Sequence, residues 1–139
     1  MLKHTATWAL LLASQLAMAA STASHWVVLD VRHHHYDDRI RVVYDLDRNL
    51  PYRASFDEQS LWLSFPGTLQ SMPCPALPSP IKTAWRESGI GLRFPKDYWV
   101  HSFQLANPPR LVVDLYGRVG REVIEDALRA PTLPGEQCP

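Results

Sequence analysis

No apolar run in this sequence reaches the roughly twenty residues that a helix needs to cross a hydrocarbon core. The longest, Trp8 to Ala20, has thirteen residues and is interrupted by Ser14 and Gln15. Neither sign of charge dominates, with 14 Lys and Arg against 14 Asp and Glu, interspersed along the chain. The clustered positive footprint of a phosphate-backbone binder is missing, so nucleic acid is not an expected partner. There are only two cysteines, Cys74 and Cys138. Neither has a local group that would activate it as a nucleophile, and no Gly-x-Ser-x-Gly elbow occurs.

What is present begins with an export pattern. Lys3 is the one charge before Trp8, and the apolar run that follows ends in Ala17-Met18-Ala19, a small-residue site suited to signal peptidase. The expected signal peptide is 1–19, with no cysteine at the junction to accept a lipid. Its removal leaves 13 basic and 14 acidic residues, a formal charge of −1. The remainder, about 120 residues, suits one domain with a real core. The expected address is the periplasm, an oxidising compartment in which Cys74 and Cys138 are able to pair. Two independent thiols are the alternative.

Period-2 alternation carries the fold class. Trp26 to Arg32 is rich in β-formers and is followed by the polar stretch His33 to Asp38, read as a break. Ile40, Val42, Tyr44 and Leu46 then share one face of a strand. Further strands are expected at Leu50 to Phe56, Ser60 to Phe65, Ile81 to Arg86, Ile90 to Phe94, Trp99 to Leu105 and Arg110 to Tyr116. Five prolines between Pro66 and Pro80 mark 66–80 as a crossover outside any sheet, since each would remove a ladder donor. Arg118 to Ala130 is the one helical candidate, with Val123, Ile124, Ala127 and Leu128 at helical spacing. The domain is thus expected over 20–117, with a short helix and tail over 118–139.

An internal shift of fifty residues places Ile40 on Ile90, Val42 on Leu92, Leu61 on Leu111, Leu63 on Val113 and Gly67 on Gly117. Because the matched positions are the inward-facing ones, the expected fold is an all-β sandwich of two related antiparallel sheets with pseudo-twofold symmetry, joined by the proline-rich crossover.

The run Phe103 to Gly117, with Asn107-Pro108-Pro109-Arg110 followed by Leu111-Val112-Val113-Asp114-Leu115, resembles the signature of the AMIN domain, the amidase N-terminal domain of bacterial envelope proteins. Arg39 to Asp47 resembles its other recurring strand. The resemblance implies a sandwich of two related sheets, a periplasmic address and binding to peptidoglycan. Members of that family carry the domain ahead of a zinc amidase or near the start of pilus-class secretins, so an amidase or a secretin is an implied partner. Asn107, Pro108, Arg110 and Asp114 are the matching residues. Their physical reading is structural, a turn fixing the entry of a strand on which Arg110 and Asp114 share a side and support each other or neighbouring strands.

Candidate chemistry is limited. His33 to His35 suggest a metal, but consecutive strand residues face opposite ways, and two imidazoles without further ligands fall short of a zinc site. Neither metal nor cofactor is expected, and one domain of this size leaves no room for an amidase. Binding residues are more legible. Trp62 opposes the buried set of its strand, and Tyr98-Trp99 opens another. Arg41 and Arg93 stand on strands where they would serve carboxylates or hydroxyls. Trp99 also begins the alternation Trp99, His101, Phe103, Leu105, which would equally suit a buried face. The expected function is therefore a non-catalytic peptidoglycan-binding module, the alternative being a protein-interaction adaptor for an envelope machine. Mass spectrometry of the periplasmic form should give an N-terminus at Ala20 or within a few residues of it, whereas an intact Met1 contradicts export with cleavage.

Overall fold

The computed structural model describes residues 24–117 and 137–138, and over these the chain is all-β with two sheets. The candidate helix over 118–130 and the signal peptide over 1–19 lie outside the described residues. In chain order the strands are β1 (His25–His35), β2 (Ile40–Leu46), β3 (Arg53–Phe56), β4 (Ser60–Ser64), β5 (Thr68–Ser71), β6 (Lys82–Arg86), β7 (Gly89–Arg93), β8 (Trp99–Ala106) and β9 (Pro109–Tyr116). One sheet has the order β5-β1-β2-β9-β8, the other β3-β4-β7-β6.

The alternation of β2 is realised residue by residue: Ile40, Val42, Tyr44 and Leu46 are buried, and Arg41, Val43 and Asp45 are half-buried on the other side. On β4 and β7 the same rule buries Leu61, Leu63, Ile90 and Leu92. These side chains join Trp26, Leu69, Leu111, Val113 and Leu115 in one continuous core to which both sheets contribute. Each such burial contributes roughly 1.5–3 kcal/mol. One polar chain crosses it. The Tyr44 hydroxyl lies 2.7 Å from Thr83 Oγ1, which in turn donates to the Gly91 carbonyl at 3.0 Å, so Tyr44 is the donor of the first bond. Burial pushes the Tyr44 hydroxyl pKa well above its ordinary value. It stays protonated and keeps its partner.

Two expectations are corrected. The histidines do not break β1, which runs on through His35. His33, His34 and His35 stand opposite Val42, Arg41 and Ile40 on β2, and the ladder holds this backbone extended although the side chains are exposed. A bulge between Val28 and Asp30 shifts the register so that Val31, rather than Asp30, turns inward. The proline-rich 66–80 is not wholly outside the sheets either. Thr68–Ser71 falls between Pro66 and Pro73, free of proline, and pairs in parallel with β1 as an edge strand, burying Leu69.

Strands from the two sides of the crossover interleave. β2 pairs with β9 and β4 pairs with β7, so neither sheet is built from one half of the chain. Cys74 and Cys138 are joined in a disulfide that ties the crossover to residues 137–138, where Gln137 and Trp85 exchange two backbone hydrogen bonds on the edge of β6. With a sequence separation of 64, the loop-closure model attributes about 4 kcal/mol to this link. Truncating Val42 or Leu92 to Ala should cost roughly 2–4 kcal/mol in urea denaturation, and Val43→Ala much less. The reverse order would invert the assignment of strand faces.

Candidate functional site

Residues directly opposite one another in a ladder share a face, so the registers of β1, β2, β9 and β8 define the outer surface of the five-stranded sheet. One row across it is His34, Arg41, Asp114 and His101. Asp114 sits on a central strand, 3% exposed, where an unpaired carboxylate would be costly. Its partner comes from the next strand: Arg41 Nε and Nη2 donate to the two carboxylate oxygens, both at 2.7 Å. The Nε of Arg39 is 3.8 Å away. The hydrogen bonds to Asp114 raise the Arg41 pKa above its ordinary value, with burial opposing.

Around this ion pair the aromatic rings form a continuous run. The Arg39 guanidinium lies over Tyr36 at 4.4 Å and near Tyr116 at 5.8 Å, and that of Arg41 lies 5.6 Å from Phe103. Trp99 packs on Tyr116 at 4.9 Å and stacks with His101, planes 6° apart and centroids 6.1 Å apart, while His101 in turn meets Phe103 at 5.7 Å. Cation–π contacts hold Tyr36, Tyr116 and Phe103, and ring packing holds Trp99 and His101. Trp99 is 62% exposed. It stands at the start of β8, an edge strand, and borders an open groove of about 310 Å³ shared with the expected Tyr98 and with Phe56, Phe94, Val100 and the acidic pair Asp57 and Glu58.

The five expected binding residues do not form one site. Arg41 and Trp99 share this face, but the bonding fork of Arg41 is taken up by Asp114. Tyr98 lines the groove beside Trp99 but is half-buried, with its ring so close to Gly117 that a Cβ there would lie 2.2 Å away. Burial raises the Tyr98 hydroxyl pKa. Trp62 and Arg93 lie on the outer face of the other sheet. Among the signature residues, Asn107 and Pro108 form the β8–β9 turn through a cis peptide, and Arg110 Nε donates to the Pro108 carbonyl at 3.3 Å. Arg110 and Asp114 do not support each other. Asp114 is held by β2 instead.

Sequence reasoning missed Tyr36, Arg39, His101, Phe103 and Tyr116 as members of the surface. The misleading signal is on β8, where the outward positions Trp99, His101, Phe103 and Leu105 are more apolar than Val100, Ser102, Gln104 and Ala106 on the other side. A buried reading of the aromatic parity is thereby overturned. Removing either member of the central ion pair, by Asp114→Ala or Arg41→Gln, should cost on the order of 3 kcal/mol in urea denaturation, because the other is left without its main partner. Arg110→Ala, which loses one exposed bond, should cost about 1 kcal/mol or less. Comparison with protein-family models finds no match for this chain, and comparison with curated proteins and with solved structures finds none either.

Proposed function

We propose that this chain is a non-catalytic peptidoglycan-binding module of the bacterial periplasm, exported by a cleaved signal peptide and built on an AMIN-like sandwich. The observation that carries the reading is the run of rings on the five-stranded sheet, with Trp99 exposed at one end. Sugar rings bind proteins by laying their C–H faces against such side chains, and a ring already packed against its neighbours, as Trp99 is against His101 and Tyr116, loses little freedom on binding. His101 beside Trp99 adds a hydrogen-bonding edge for hydroxyls.

The topology supports the finer architecture. Under the fifty-residue shift β1, β2, β3 and β4 correspond to β6, β7, β8 and β9, and the order β1-β2-β9-β8 then reads onto β6-β7-β4-β3. Two copies of one four-strand unit, each lending two strands to either sheet, give that order. The two central ladders differ in register by two residues, an even step that keeps the same side chains inward.

The adaptor reading has its own observation. β8 has eight residues with no charge, no proline and no register shift against β9. Such an edge is a template for strand addition. Across one end of it, Asn49 donates to the Ala106 carbonyl and Tyr52 to Ser102, so the open part is near Trp99.

Co-sedimentation with purified wall sacculi tests the proposal. A single shallow surface should bind at micromolar strength, about −8 kcal/mol at 1 μM, and Trp99→Ala should weaken binding about tenfold while leaving the fold intact. If the folded protein stays in the supernatant at low salt yet retains a specific periplasmic protein partner, the adaptor reading replaces this one.

A further inference from the structure

Inward parity on β3 does not bring burial. Ala54 and Phe56 stand opposite Leu63 and Leu61 of β4, whose side chains are buried, yet every residue of β3 is exposed. Facing residues in a ladder share a side of the sheet. β3 therefore carries apolar side chains on the inner side of the four-stranded sheet, at an edge the core does not reach. The neighbouring edge of the other sheet is β8. Toward the end of β8 the two edges are bridged, with Tyr52 donating to Ser102 Oγ, Gln104 to the Leu50 carbonyl and Asn49 to the Ala106 carbonyl. At its start they part, and the gap is the groove of about 310 Å³ beside Trp99.

The lining of that groove suits a cation. Phe56 and Trp99, 58% and 62% exposed, present two large rings at one mouth. Asp57 and Glu58 follow Phe56 in the β3–β4 turn. Asp57 Oδ1 accepts the Gln59 amide at 3.0 Å, which fixes the carboxylate, and its other oxygen accepts no bond from the described residues. Glu58 meets Lys96 at 3.3 Å, a pair exposed on both sides and therefore weak. One lysine against two carboxylates leaves the groove acidic. An anion is repelled here, and a hard divalent metal wants about six or more oxygen ligands where the groove offers rings. A primary ammonium on an apolar stem fits both features, its charge against Asp57 and its stem along the ring faces.

We infer that the groove holds the amine-bearing peptide branch of the wall polymer, an inference that rests on the wall-binding reading and names the feature recognised. Continuity decides the source of the amine. Trp99 belongs both to the ring run, through His101 and Tyr116, and to the rim of the groove. A glycan laid on the run thus reaches the groove with its side branch by passing one tryptophan. That branch is a peptide, and the start of β8 offers it the backbone groups of an edge strand. A diamino acid within it brings an ammonium, charged at neutral pH, to Asp57.

The test uses the full secreted chain and three probes: purified sacculi, the same sacculi after acetylation of their free amines, and glycan strands stripped of peptide. In co-sedimentation the wild-type protein should bind the acetylated and the stripped forms about fivefold more weakly than intact sacculi. Asp57→Asn, which keeps an oxygen for the Gln59 amide, should lose as much on intact sacculi and then be indifferent to acetylation, with an unchanged circular dichroism spectrum. That indifference separates a contact in the groove from a general change in the charge of the wall. Phe56→Ala, at an exposed position, should weaken binding in the same way. Equal binding of intact and acetylated sacculi overturns the inference and leaves the wall-binding reading standing, whereas failure of intact sacculi to bind at low salt removes both. A dimer in sedimentation equilibrium that Phe56→Ala dissolves would assign the groove to a second copy. Retention of a periplasmic protein that Phe56→Ala releases and sacculi do not displace would assign it to a protein segment, and either result also overturns the inference.

Discussion

The ladder between β2 and β9 joins residues about seventy positions apart, and the other features of the five-stranded sheet follow from it. On its inner side it sets Val42 opposite Val113 and Tyr44 opposite Leu111, closing the middle of the core. On its outer side it sets Arg41 opposite Asp114. A buried carboxylate on an interior strand, such as Asp114 on β9, is tolerated only with a charged partner at hydrogen-bonding distance. That requirement fixes Arg41, and through Arg41 the placing of Phe103 and Tyr36 around it. A register slip of one residue would send every one of these side chains to the wrong face.

On the five-stranded sheet the charge of Arg41 is used within the fold by Asp114, and the ring of Phe103 lies beside its guanidinium on the outer surface. That arrangement depends on cross-strand neighbours rather than on any linear motif.

The sheet edges are treated unequally. β3 and β5 have four residues each, and β3 carries Arg53. β6 bears Lys82 and is met by Gln137, kept there by the Cys74–Cys138 link. Short length, charge and cover are the usual means of preventing unwanted strand pairing. β8 is long and uncharged, and what protects it is the crossing of Asn49 and Tyr52 over its far end.

Much of this was legible from the chain alone. Alternation with period 2 placed Ile40, Val42, Tyr44 and Leu46 inside, because side-chain direction in a strand is set by parity and burial needs an apolar set on one side. The same rule located β4, β7 and β9, whereas the prolines hid β5, whose four residues between Pro66 and Pro73 pair with β1. Parity failed on β8, where both sides carry apolar residues and only the packing partner decides which turns inward. It failed at the histidines of β1, whose extended backbone is maintained by hydrogen bonds to β2 rather than by any property of the side chains. Which residues stand opposite each arginine was beyond local reading too. Arg41 and Arg93 look alike in sequence, and only the tertiary pairing gave one Asp114 as its neighbour and the other Ser60 and Lys82, because contacts across a ladder are set by register between distant segments.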